Sequence, residues 1–234
     1  MTQERDQMRN LNNGIALLAA MLFGAAGPVR AERPMNVDDA GTLDKGGAKL
    51  EFGWAKDDET RGIEGAAGYA PIDNLELEIG LGRARDHSAS PTETIHGHGL
   101  AVKWVPLQAE TGLSAGLKYE YGRDRVEGVS TRVHALSGLL TWAFGGGQLL
   151  HVNLGREIER ERGDSEEANT WGAGLDLPLT EQFHVVAETF GAEGSGPDRA
   201  AGLRYEIAEG LKISGAVGRG NHRNFANAGI AWEF

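Results

Sequence analysis

From about residue 47 to the C-terminus the chain alternates apolar and polar residues with a period of two, and this rhythm decides what it can fold into. Ala48, Leu50, Phe52 and Trp54 alternate with Lys49, Glu51, Gly53 and Ala55, and Leu75, Leu77, Ile79 and Leu81 alternate with Glu76, Glu78, Gly80 and Gly82. The same pattern runs through residues 113–122 and 201–207. Successive side chains of a strand point to opposite faces, so such segments form strands with one apolar and one polar face. No segment carries a 3.6-residue apolar stripe. The chain is all-β.

Turn signals divide this region into twelve segments, at about 47–57, 62–70, 74–85, 94–105, 112–123, 131–144, 148–160, 168–177, 182–192, 199–207, 211–220 and 224–234. The connections alternate in kind. One set is short, such as Pro71-Ile72-Asp73-Asn74, Gly145-Gly146-Gly147 and Ala208-Glu209-Gly210. The other is more charged and reads as longer loops, as at 123–131 and 160–167. Short turns at one end and polar loops at the other fit a transmembrane antiparallel up-and-down β-barrel of about 12 strands. An even strand count brings both termini to the short-turn, periplasmic end.

Composition supports placing the apolar parity toward lipid. Glycine is abundant, at 35 of 234 residues, and lies largely on the polar parity, where an exposed soluble sheet would be weakened by it. Aromatic residues such as Trp54, Trp104, Trp142, Trp171 and Tyr205 gather toward strand ends, as interfacial girdles do. The chain ends in an alternating strand with Ile230, Trp232 and Phe234, which resembles the terminal-strand signature by which barrel-assembly machinery recognises outer-membrane proteins. The formal charge of −11 argues against nucleic acid as a partner, because such binding leaves a basic footprint. The absence of cysteine removes disulfides, thiolate metal sites and thiol catalysis.

Residues 1–13 are polar and carry Arg5 and Arg9. Residues 14–26 form an apolar block, and Val29-Arg30-Ala31 supplies a small residue after it. This is the layout of a cleaved signal peptide over 1–31. It implies export, and with the barrel an outer-membrane location in a Gram-negative bacterium. Residues 32–46 then form a periplasmic leader, and residues 47–234 the barrel. The leader is long enough to enter the lumen as a plug, but a loose periplasmic segment is the simpler expectation.

The leader reads Arg33-Pro34-Met35-Asn36-Val37-Asp38-Asp39-Ala40-Gly41-Thr42 and is followed by Gly47-Ala48-Lys49-Leu50-Glu51. This opening resembles that of the outer-membrane transporter family labelled "MetA-pathway of phenol degradation". The resemblance covers about 20 residues sharply; it implies a barrel with a transport role and assigns no functional residue. The chain is short for that family, which implies trimmed extracellular loops.

With the polar parity inward, the lumen candidates are Lys49, Glu51, Glu64, Glu76, Glu78, Lys103, Lys118, Glu120, Glu157, Asp176, Glu188, Arg204, Glu206 and Lys212, with Glu233 at the strand end. Ten acids face five bases, so the lumen carries about −5 (10 against 5). Such a field raises the local cation concentration. Twelve strands spaced ~4.8 Å and tilted ~40° enclose roughly 12–14 Å of open lumen. The leading expectation is an outer-membrane channel passing small solutes, with a mild cation preference and no cofactor. The alternative is a closed structural or lipid-binding barrel whose lumen charges pair, for instance Lys49 with a neighbouring acid.

Arg83, Arg132 and Arg156 fall on the outward parity near the loop end and are candidates for lipopolysaccharide phosphates, so outer-membrane lipids are expected partners. A third reading, an outer-membrane lipid-modifying enzyme, finds little support. Ser137 and His151 share the inward parity on adjacent strands, but the 145–147 turn sets His151 opposite Thr141, leaving Ser137 out of hydrogen-bond reach. His96 and His98 share a face at i, i+2 without an evident third metal ligand. Catalytic and metal-ligating residues are therefore not expected.

Overall fold

A computed structural model describes residues 33–234, and the segment expected to be the signal peptide lies outside the described residues. Twelve strands follow in chain order: β1 (Ala48–Lys56), β2 (Thr60–Ile72), β3 (Leu75–Asp86), β4 (Glu93–Leu107), β5 (Gly112–Val126), β6 (Val129–Ala143), β7 (Leu149–Glu161), β8 (Asp164–Pro178), β9 (Phe183–Ala192), β10 (Asp198–Ala208), β11 (Leu211–Gly220) and β12 (Arg223–Glu233). Each pairs antiparallel with its chain neighbours, and β1 closes on β12 in the register Lys49↔Glu233, Leu50↔Trp232, Glu51↔Ala231. The fold is a closed up-and-down β-barrel. Closure leaves no edge strand to be shielded.

The two parities part as their chemistry requires. Leu81, Leu154 and Val217 stand on the outer wall, each more than 60 % exposed, while Glu76, Glu78, Lys103, Lys118 and Asp176 face inward and are buried. A surface this apolar is stable only against hydrocarbon, and backbone groups in hydrocarbon must be satisfied internally, which closed pairing achieves. Trp104, Trp142, Phe144, Tyr205, Trp232 and Phe234 are exposed on the outer wall toward the end that holds the C-terminus.

The connections depart from expectation. The charged stretches 123–131 and 160–167 are not long loops, because β5 and β6 run to Val126 and from Val129, and β7 and β8 run to Glu161 and from Asp164. The hairpins close through Glu127-Gly128 and Arg162-Gly163, all four residues at positive φ. Consecutive positive φ values give the primed turn whose twist matches that of paired strands. Charge at these positions marks strand rims and turn tips, so loop length does not distinguish the two ends of the barrel.

The leader is also ordered. Residues 33–43 run inside the barrel, with Arg33, Pro34, Met35, Val37, Asp38 and Ala40 all buried. Met35 and Val37 join Val186, Phe190 and Phe225 in an apolar cluster on the inner wall, and Ala40 packs with Val105 and Leu139 in a second. The inner parity is therefore not uniformly polar: it provides apolar contact where the leader lies.

Candidate functional site in the barrel lumen

Lys103 on β4 and Lys118 on β5 are directly opposed on the inner face. Two ammoniums so placed repel, and the strand ladder supplies only part of the compensation. Asp38 of the leader lies between them, with Oδ1 2.9 Å from Lys103 Nζ and Oδ2 2.7 Å from Lys118 Nζ. Asp39 adds a second carboxylate 2.6 Å from Lys103 Nζ, and Glu120 lies 3.0 Å from Lys118 Nζ. Burial by itself pushes the Asp38 carboxyl up, but the two ammoniums prevail and hold it well below the usual carboxylate value. Asp38 therefore stays charged at neutral pH while docked.

The leader's backbone is satisfied by inward side chains rather than by a strand. Asn36 and Val37 N–H donate to Glu188 Oε2 at 2.7 and 2.9 Å, and Asn36 Nδ2 donates to Oε1 at 2.7 Å. Asp38 N–H donates to Asn153 Oδ1 at 2.6 Å, and Asn153 Nδ2 donates back to Asp38 O at 2.8 Å. Ala40 N–H donates to Thr141 Oγ1 at 2.7 Å, and Leu43 N–H to Glu76 Oε2 at 3.0 Å. At the other end Arg33 pairs with Glu64, and Arg204 Nε and Asn227 Nδ2 donate to the carbonyls of Arg33 and Pro34 at 3.0 Å each. Buried polar groups stay buried only when so paired, which is why the leader is not loose.

Glycines of the inner wall make room for it. A methyl at Gly172 would sit 2.7 Å from Val37 Cγ2, and one at Gly174 would collide with Met35 and lie 3.3 Å from Val37 Cβ. A methyl at Gly229 would lie 2.6 Å from Arg33 Cδ, and Gly53 also abuts the Arg33 guanidinium. The inner-face glycines there seat the leader rather than widen an empty lumen.

Every residue expected to line the lumen is buried or half-buried on the inward parity. Many are paired. Lys49 Nζ lies 2.7 Å from Glu76 and 2.5 Å from Glu78, Arg204 lies 2.8 Å from Asp176, and Lys212 lies 3.1 Å from Glu233. Glu206 Oε1 accepts from Gly210 N–H at 2.9 Å. Glu157 and Glu159 on β7 differ: among the described residues neither has an ion-pair partner, and each has a buried carboxylate oxygen with no hydrogen-bond partner. Beside the leader, at the end of the barrel holding the C-terminus, a polar cavity of about 420 Å³ is lined by Asp39, Asp44, Lys49, Glu51, Glu76 and Lys103 among others.

Arg83, Arg132 and Arg156 are all exposed on the outer wall, and Arg156 also pairs with Glu167 of β8. His151 stands opposite Thr141, as its turn requires, and shares a 2.9 Å hydrogen bond with it; Ser137 stands opposite Gly155. His96 and His98 are exposed on the outer wall, and among the described residues no cluster of His, Cys, Asp and Glu is arranged to hold a metal.

Sequence reading missed the anchors Asn36, Asp38, Ala40, Thr141 and Asn153. The signal was present in part. Lys103 and Lys118 share the inward parity of adjacent strands and the leader carries the Asp38-Asp39 pair, but the direct opposition of the lysines rests on the register shift between Trp104 and Leu107.

Comparison with solved structures places this architecture among outer-membrane β-barrels. The COG4313 outer membrane channel from Pseudomonas putida F1 superposes with a TM-score of 0.65 at 10 % identity, covering 84 % of this chain and 98 % of that one. The KdgM porin gives 0.59 at 13 % identity, covering 80 % and 99 %. The translocator domain of the autotransporter NalP from Neisseria meningitidis gives 0.56 at 15 % identity, covering 83 % and 88 %. At these identities the likeness is one of fold. No curated protein matches the sequence significantly. Residues 19–233 match the family described as "Uncharacterised conserved protein UCP029691", and the chain belongs to that family.

Proposed function

We propose that this chain is an outer-membrane channel for small solutes whose lumen is closed at rest by its own leader. The observation that carries the proposal is Asp38, a carboxylate from outside the barrel wall bridging two opposed lysines of that wall. A structural filler would be served better by apolar side chains, since a buried ion pair costs much of what it gains. An ionic latch on a segment outside the strand ladder can release without unfolding the barrel. The likeness to a porin and to an outer-membrane channel supports the reading, as does the polar cavity beside the leader. The signal peptide over 1–31 delivers the chain to the periplasm. Ile230, Trp232 and Phe234, outward on the last strand, present it to the barrel-assembly machinery.

The open lumen prefers cations. Lys49, Lys103, Lys118, Arg204 and Lys212 already have carboxylate partners, whereas Glu157 and Glu159 have no basic partner among the described residues. In a planar bilayer with a salt gradient, openings of the refolded chain should reverse at a cation-selective potential. Glu157→Gln with Glu159→Gln should move that potential toward zero. An anion-selective reversal would sink the assignment. The second reading, a closed structural or lipid-binding barrel, rests on the paired lumen charges and requires silence even after the leader is dislodged.

A further inference from the structure

The register opposes cations on the outer wall as well. Lys56, Arg61 and Arg85 are mutual neighbours across β1, β2 and β3. Arg123, Arg132 and Arg160 are neighbours across β5, β6 and β7. Side chains directly opposite across a ladder are about 5 Å apart at Cβ, and like charges there are destabilising. Inside the barrel the fold meets the same problem at Lys103 and Lys118 with the Asp38 carboxylate. Outside, none of the six has an ion-pair partner among the described residues: no Asp or Glu occupies the outward parity of β5, β6 or β7, and Glu167 on that face of β8 is paired with Arg156. The chain as a whole has acids to spare, with 34 Asp and Glu against 23 Lys and Arg. The missing anion is therefore one the barrel meets on its outer wall.

The second triad is placed at interfacial depth. The next outward row toward the C-terminal end is Tyr121 beside His134, with ring centroids 5.2 Å apart, followed by Tyr119 opposite Leu136. Aromatic residues mark the headgroup boundary of barrels, and an outward arginine costs little there. Guanidinium groups suit phosphate oxygens through paired, charge-assisted hydrogen bonds.

We propose that the Arg123–Arg132–Arg160 row, with Lys56–Arg61–Arg85 as a second row, binds a lipid headgroup carrying more than one phosphate in the leaflet around this end of the barrel. Adjacent opposed cations neutralise adjacent phosphates, so a headgroup with two phosphates binds better than one with a single phosphate. Binding also removes the repulsion within each row.

The test uses the refolded chain in zwitterionic detergent, titrated with bisphosphorylated lipid A, dephosphorylated lipid A and inorganic phosphate. Readouts are native mass spectrometry and the melting temperature from tryptophan fluorescence. The wild-type chain should bind bisphosphorylated lipid A and melt higher with it. R123Q/R132Q/R160Q should bind at least about tenfold more weakly, as expected for losing charge-assisted contacts. In detergent alone that variant should melt no lower than wild type, because it has lost opposed charges. If the triple variant does not refold, R132Q alone, at the centre of the row, should show the weaker binding. Equal affinity of variant and wild type, or equal binding of dephosphorylated lipid A, would overturn the proposal. A full response to inorganic phosphate at the same phosphate concentration would reassign the row to free phosphate and overturn the lipid source. None of these outcomes depends on whether the lumen conducts.

Discussion

Asp38→Asn should turn a mostly closed barrel into a mostly open one. The substitution is nearly isosteric and lies outside the strand ladder, so the wall has no reason to misfold. It removes the carboxylate charge of the leader that bridges Lys103 and Lys118, leaving them opposed with Asp39 and Glu120 among the remaining compensation. Breaking one side of a buried ion pair costs about 3 kcal/mol or more, and that cost falls on the docked state alone. The docking equilibrium should therefore shift by on the order of 100-fold. In planar bilayers this appears as a large rise in open probability over wild type, with unchanged heat-modifiable mobility of the folded barrel. An unchanged open probability would show that Asp38 does not latch the leader.

Gly174→Leu gives a second large effect, and its sign separates two accounts of the lumen. In an empty pore a bulky inward residue narrows the path and lowers conductance. Here Gly174 abuts Met35 and Val37, so a leucine side chain fills the seat of the leader. Overpacking of this kind costs about 1–3 kcal/mol, and the leader, which lies outside the strand ladder, gives way before the wall. Open probability should rise, while the conductance of each opening falls modestly because the new side chain remains in the lumen. A fall in both would mean that nothing is displaced. Gly138→Leu is the matched control, because Gly138 faces outward and its nearest neighbour lies 3.7 Å away; it should leave gating unchanged.

The barrel was legible because period-two alternation is a direct image of the strand pleat, and the glycine-rich polar parity with aromatic residues at strand ends turned the apolar face toward lipid. The register inside hairpins was legible where the turn was. The Gly145–Gly147 turn places His151 opposite Thr141, and that pairing is observed. The primed turns at Glu127-Gly128 and Arg162-Gly163 were not, because charged residues at a strand rim have the composition of a loop. The leader's place was the hardest to read. Its contacts join residues more than a hundred positions apart, such as Asp38 with Asn153 and Val37 with Glu188, and no local pattern encodes such pairs. What the sequence did contain was a pair of lysines, Lys103 and Lys118, on the inward parity of adjacent strands. The register shift between Trp104 and Leu107 turns that shared parity into direct opposition.

Residues 36–40 occupy the lumen, and amide hydrogen exchange of the refolded chain in lipid nanodiscs reports on that placement. The N–H groups of Asn36, Val37, Asp38 and Ala40 are all donated to inward side chains, so peptides covering them should exchange far more slowly than an unstructured segment and lose that protection in Asp38→Asn. Exchange at the rate of a free peptide in the wild-type chain would contradict the account and return the leader to the periplasm, with the lumen left open.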